Sequence, residues 1–206
     1  MRIITGSARG INLETLEGEA TRPTADRVKE AMFSMLQFDM EGRRVLDLFA
    51  GSGQLGLEAL SRGASSAVFV DNSRDAVNIV LKNAAKTKLK DRCRAAVYDY
   101  ETYLEGAAGK EDFHIIFLDP PYNADAMVNA LRLISEGSLL AEGGIIACET
   151  DTIPEERQKR KKAPREDDET AVLRDVFCGD EALMSEFVIR KTARYGRTRL
   201  TLLEGV

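Results

Sequence analysis

A glycine-rich turn between an apolar run and an amphipathic run limits what this chain can become. Val45-Leu46-Asp47-Leu48-Phe49 has the composition of a buried strand, Ala50-Gly51-Ser52-Gly53 that of a tight turn, and Leu55-Gly56-Leu57-Glu58-Ala59-Leu60 that of a helix. Strand, turn and helix in that order open a βαβ unit, and the pattern then repeats. Ala67 to Val70 reads as a second strand, Ser73 to about Ala85 as a helix and Ala95 to Tyr98 as a third strand. Ile115 to Leu118, Ala124 to about Ile134 and Gly144 to Glu149 read as strand, helix and strand. Such alternation predicts an α/β protein with a doubly wound, mostly parallel sheet. Phe187 to Ala193 and Thr198 to Leu203, joined around Tyr195-Gly196-Arg197, predict an antiparallel hairpin closing one sheet edge. That makes seven strands in all.

The glycine spacing Gly51-x-Gly53-x-x-Gly56, with Asp71 ending the next strand, matches a dinucleotide fingerprint. Alone it is a weak signal, because many nucleotide sites need the backbone to approach a ligand closely. Asp47, on the first strand just before the loop, suits a ligand amino group better than a pyrophosphate. That favours S-adenosylmethionine (SAM) over NAD. The candidate cofactor-binding residues are Asp47, Phe49, Gly51, Ser52, Gly53, Asp71, Asn72, Asp99 and Tyr100. Asp99, at the end of the third strand, reads equally as an acceptor for the adenine amine and as a helix cap.

The fourth strand stops at Asp119-Pro120-Pro121-Tyr122. Proline donates no ladder hydrogen bond and biases its predecessor towards an extended conformation, so the strand ends in a stiff turn. Ligand crevices in open α/β sheets lie outside the carboxyl ends of the strands. There Asp119 and the Pro120 carbonyl could accept the two N–H bonds of an exocyclic amine, with Pro121 locking the turn and Tyr122 stacking on the base. These are the candidate catalytic residues. A plain Pro-Pro turn with a solvated aspartate is the competing account, and the upstream glycine loop weighs against it.

The chain length of 206 residues fits one domain with a small appendage. We divide it into an N-terminal extension at 1–40 and a catalytic domain at 41–206. The extension reads as a β-hairpin over 2–18 followed by a helix capped by Thr24 and running to about Phe38. Arg2, Arg9, Arg22, Arg27 and Lys29 fall there and are the candidate RNA-binding residues. Residues 153–185 read as a charged surface loop or insertion, basic over 157–165 and acidic over 166–169. His114 is the single histidine, which leaves no His-based metal site or Ser-His-Asp triad, and no metal is expected. The N-terminus has no signal-like apolar core and no stretch reaches membrane-spanning length, so no membrane partner and a cytoplasmic location are expected. Cys93, Cys148 and Cys178 read as reduced thiols. A net charge of −5 argues mildly against a general nucleic-acid binder.

Asp47-Leu48-Phe49-Ala50-Gly51-Ser52-Gly53 together with Asp119-Pro120-Pro121-Tyr122 resembles the SAM-dependent methyltransferases that modify exocyclic amines of bases. Arg22-Pro23-Thr24 leading into Asp26-Arg27-Val28-Lys29-Glu30, the run from Leu55 to Ala64 and the closing Arg194-Tyr195-Gly196 resemble one branch, the RsmD family. The resemblance implies a Rossmann-like class I methyltransferase fold. It implies methyl transfer from SAM to guanine N2 in bacterial 16S rRNA, naked or within a ribosomal assembly intermediate. The sequence does not fix the oligomeric state, and a monomer is favoured. The resemblance also implies that Asp47, Gly51 and Gly53 hold the methionine side of the cofactor, Asp71 the ribose, Asp99 the adenine, and Asp119 to Tyr122 the target base. DNA adenine-N6 methyltransferases share both motifs, and a non-catalytic RNA-binding assembly factor could be built on the same fold.

Overall fold

The computed structural model describes residues 1–16, 23–121, 124–151 and 169–206. One seven-stranded sheet runs through it in the order β3-β2-β1-β4-β5-β7-β6. β1 (Arg44–Asp47), β2 (Ser66–Asp71), β3 (Cys93–Val97), β4 (Phe113–Leu118) and β5 (Leu140–Asp151) are parallel. β6 (Phe187–Tyr195) and β7 (Thr198–Gly205) form the expected antiparallel hairpin, with β7 paired to β5 and β6 at the edge.

Strand residues alternate strictly between two apolar layers. Val45, Phe69, Ile115, Phe117, Ile145 and Ala147 face one layer. Leu46, Leu48, Val68, Val70, Ile116, Leu118, Ile146 and Cys148 face the other. This is the period-two pattern of a sheet covered on both sides. The first layer is completed by α1 (Pro23–Met35), α2 (Gln54–Ser61) and α3 (Arg74–Lys86). The second is completed by α4 (Tyr100–Ala107), α5 (Ala124–Glu136), α6 (Glu169–Asp175) and α7 (Glu181–Met184). The chain winds outwards from β1 to β3 and then returns to the other side of β1 as β4. The reversal makes the β1–β4 junction the switch point where such sheets bind ligands.

The N-terminus forms a short version of the expected hairpin. Arg2 and Asn12 bridge antiparallel, the Ile3 amide donates to the Ile11 carbonyl, the Gly10 amide to the Ile3 carbonyl and the Leu13 amide to the Met1 carbonyl, and this strap is held against α2. Glu58, fully buried on that helix, accepts hydrogen bonds from the Ile4 and Thr5 amides at 2.7 and 3.0 Å. Ser61 Oγ accepts from the Ala8 amide and donates to the Thr5 carbonyl. Ile3, Leu13, Val28, Met32 and Phe33 thus enter the same apolar layer as the sheet. Helix α1 begins at Pro23 rather than after Thr24, a position suited to a residue with fixed φ and no N–H.

The segment 153–185 also differs from expectation over its second part. Its charged run 157–168 lies outside the described residues, whereas α6 and α7 occupy most of 169–185. Val172, Val176, Phe177 and Leu183 drive this by burying themselves in the second layer. Asp175, 5 % exposed, takes Arg199 Nε of β7 at 2.8 Å, and Asp180 caps α7 by accepting from the Leu183 amide.

Candidate active site

Four parallel strands carry an acid at the same rim of the sheet: Asp47 ends β1, Asp71 ends β2, Asp119 follows β4 and Glu149 stands two residues before the end of β5. Parity places all four on the face of the first layer. Asp47 follows Val45, Asp71 follows Phe69, Asp119 follows Phe117, and Glu149 follows Ala147, each by two residues. Asp47 and Asp119 flank the switch point itself, since Asp47 is in register with Phe117.

Asp47 is only 2 % exposed. Its Oδ2 accepts the Gly56 amide at 2.9 Å, in the first turn of α2. The N-cap of that helix is Gly53, at φ 78°, which has no side chain with which to cap it. A carboxylate from the neighbouring strand does the work instead. Burial is the main cause that lifts the Asp47 pKa from 3.8 to about 7; the Gly56 hydrogen bond opposes it, and the nearby Asp119 and Asp71 add to it. Glu149 is pushed up to about 8, chiefly by burial and then by Asp119 and Asp151. The rim is therefore short of positive charge.

The glycine loop is braced from two sides. Asp71 accepts the Gly51 amide through Oδ2 at 2.9 Å and the Ser73 amide through Oδ1 at 2.8 Å, which joins the loop to the start of α3. Asn83, fully buried on α3, donates to the Ser52 carbonyl at 2.9 Å and exchanges hydrogen bonds with the backbone of Glu14 in the strap. Gly56 is needed for close packing: a Cβ there would lie 2.3 Å from the Phe69 ring. Beside the loop, Gln54 Nε2 is buried with no hydrogen-bond partner among the described residues.

The remaining predicted residues surround this centre. Phe49 and Tyr100 contact each other with ring centroids 5.3 Å apart, and the Tyr100 hydroxyl accepts from Asn129 Nδ2 of α5. Asn72 is exposed at the rim. Asp99 caps α4, its Oδ1 accepting the Glu101 amide at 2.9 Å. Asp119 is exposed and Pro120 half-buried; Tyr122 lies outside the described residues. Sequence reasoning missed Glu149, although an apolar run ending in an acid, as at Asp47, Asp71 and Asp119, was a usable signal.

The basic residues of the N-terminal extension differ in exposure. Arg2, Arg9 and Arg27 are exposed, and Arg22 lies outside the described residues. Lys29 must be removed from the RNA-binding set. It is 4 % exposed and donates Nζ to the Arg2 carbonyl at 3.0 Å, so its charge is used inside the fold to tie α1 to the strap. A depression of about 710 Å³ between the strap, α1 and the last turn of α2, lined by Thr5, Phe33 and Arg62, is separate from the rim.

Against known proteins, the model of the family described as Conserved hypothetical protein 95 matches residues 1–174. The putative rRNA methyltransferase YlbH of Bacillus subtilis is 44% identical over 152 residues, covering 73% of this chain and 83% of that protein. This chain belongs to that family, the RsmD family. The ribosomal RNA small subunit methyltransferase D of Haemophilus influenzae is 36% identical, covering 73% of this chain and 79% of its own length. Among solved structures, the putative methyltransferase yhhF from Escherichia coli superposes with a TM-score of 0.76 at 25% identity, covering 100% of this chain and 97% of that one. The sheet described above is the Rossmann-like class I methyltransferase fold.

Proposed function

We propose that this protein transfers a methyl group from SAM to the exocyclic N2 amine of a guanosine in bacterial small-subunit (16S) rRNA. The observation that carries it is the junction of two features at the switch point. The glycine loop, braced by Asp47 and Asp71, lies next to the Asp119-Pro120-Pro121 strand end. The family relatives named as rRNA methyltransferases support the class of substrate.

The residues present fit the cofactor. SAM has a net positive charge at neutral pH, and an acid-lined rim with Asp47 shifted up to about 7 is a place where a cation relieves repulsion. Asp47 and the loop from Gly51 to Gly53 would hold the methionine part, Asp71 the ribose, and Phe49, Asp99 and Tyr100 the adenine end. Asp71 retains this capacity because each carboxylate oxygen can accept a second hydrogen bond. When bound, SAM supplies a methyl group on a sulfonium that needs no further activation.

Catalysis by the chain itself is then positioning and charge placement. Asp119 accepts one N–H of the target amine and the Pro120 carbonyl accepts the other, which favours the nitrogen lone pair for in-line attack. The amine becomes strongly acidic only after methylation, so Asp119 need not be a strong base. The target must be unstacked to reach the rim, which favours a loop or single-stranded guanine. Arg2, Arg9 and Arg27 would contact the RNA backbone from the N-terminal side.

The test is transfer from labelled SAM to small subunits lacking their own base modification, to the naked rRNA from them and to duplex DNA, followed by nucleoside analysis. Label in N2-methylguanosine, reduced about 10³-fold in Asp119→Ala with SAM binding retained, is expected. Label in N6-methyladenine of DNA, or none with any substrate, would overturn the reading.

A further inference from the structure

Glu149 is a residue of the rim that the mechanism above leaves unused. It is the third acid at the β1–β4–β5 corner, and its position is set by the sheet. Strands β4 and β5 run parallel with Phe117 opposite Ala147 and Leu118 opposite Cys148. One more step places Asp119 beside Glu149, on strands about 4.8 Å apart, with both side chains on the same face. Their mutual electrostatic effect agrees with that placement, because Asp119 is the largest charge contribution to the Glu149 shift. Thus two hydrogen-bond acceptors stand side by side at the mouth of the crevice.

Two adjacent acceptors match only some base edges. Guanine presents two neighbouring donors there, the N1–H and the N2 amine. Adenine presents a donor beside a bare acceptor, its N6 amine and N1. Resting on the guanine-N2 reading above, we propose that Glu149 is a specificity-determining residue that accepts the N1–H of the target guanine while Asp119 accepts from the N2 amine. Above about pH 8, where Glu149 is ionised, an adenine in the same place sets its N1 lone pair against a carboxylate. A site built to pair a donor rejects a base lacking that donor strongly, because the acceptor is left buried and unmatched.

The test separates recognition from a merely structural role. The full-length protein and its Glu149→Gln and Glu149→Ala variants are compared at pH 8.5, where Glu149 is ionised, on 16S rRNA assembled with guanosine or 2-aminopurine riboside at the methylated position, once nucleoside mapping has located it. 2-Aminopurine keeps the exocyclic amine but has an acceptor at N1. The unsubstituted protein is expected to prefer guanosine by about 100-fold in kcat/KM. Glu149→Gln, whose amide can donate to that N1, is expected to narrow the preference by at least about 10-fold, with SAM affinity unchanged. Glu149→Ala is expected to lose activity on guanosine without gaining on 2-aminopurine. An unchanged preference in Glu149→Gln, or equal losses on both substrates in both variants, overturns the assignment of Glu149 alone. Absence of N2-methylguanosine with the unsubstituted protein overturns the guanine-N2 reading and this inference together.

Discussion

Helix α2 is gripped by two buried carboxylates that live in opposite electrostatic conditions. Glu58, fully buried, has the Ile4 and Thr5 amides and the Arg62 guanidinium, the last at 2.8 Å. Asp47, 2 % exposed, has the Gly56 amide and two neighbouring acids. One carboxylate is fully matched by the chain that folds around it. The other is left with unmet charge at the rim where a ligand would sit. The difference separates an acid that holds the fold together from one that, on the proposed reading, would receive a cation, though both look alike in a burial profile. Buried acids of the first kind are costly to remove, and those of the second kind cost the fold while they serve binding.

That contrast predicts effects of opposite sign. Glu58→Ala strands the Arg62 charge and two strap amides, and should destabilise by about 3–5 kcal/mol, lowering the thermal midpoint by roughly 10 °C. Circular dichroism melting reads this directly; a shift of a degree or two would mean that the strap is not held by Glu58. Asp47→Asn keeps an oxygen for the Gly56 amide but removes the charge. At pH 8 it should melt a few degrees higher than the parent, while SAM affinity measured by calorimetry falls about 10- to 100-fold. A variant that loses both stability and binding would place Asp47 with Glu58 instead.

Most of this contrast could be read from residue types, and its exceptions are instructive. The strands stand out as apolar runs because both sheet faces are covered, and the acids ending β1, β2 and β4 mark the ligand rim. Glu149 escaped notice because it is attached to no glycine loop or proline turn; only register with β4 brings it to Asp119. The alternation of Ile3, Ile11 and Leu13 is real and the hairpin pairs as expected, but it is also secured by the side chains of α2, a partner that periodicity alone does not name. Lys29 reads as a solvated charge until its hydrogen bond to the Arg2 carbonyl is seen. In 169–185, neighbouring charges hide the apolar face that Val172, Val176 and Phe177 present to the sheet.

The pH dependence of stability sharpens the comparison at smaller amplitude. Asp47 and Glu149 have folded pKa values of about 7 and about 8, raised from 3.8 and 4.5. Between about pH 4 and pH 8 the folded protein therefore holds protons that the unfolded chain has released, so stability falls as pH rises through this window and levels off above it. The midpoint of the ligand-free protein should drop by several degrees from pH 5.5 to pH 8.5. The double variant Asp47→Asn/Glu149→Gln should flatten that part of the profile. A profile of equal slope in both would show that the rim acids do not carry the charge burden assigned to them.

The smallest effect concerns Asp99, where the two roles of a carboxylate meet in one residue. As a cap, its Oδ1 satisfies the Glu101 amide at the start of α4. Loss of such a cap costs about 1 kcal/mol, which is a midpoint shift of roughly 3 °C in a chain of this size. In the proposed role of acceptor for the adenine amine, it would also contribute to cofactor affinity. Asp99→Ser separates the roles, because serine caps a helix nearly as well as aspartate but is shorter and uncharged. If the cap is its sole role, Asp99→Ala melts lower, Asp99→Ser melts like the parent, and both bind SAM normally. If Asp99 also holds adenine, Asp99→Ser keeps the midpoint while its SAM dissociation constant rises about 10-fold. The latter result would place Asp99 with the role proposed for Asp71, which braces backbone through some of its lone pairs and would offer the others to the ligand.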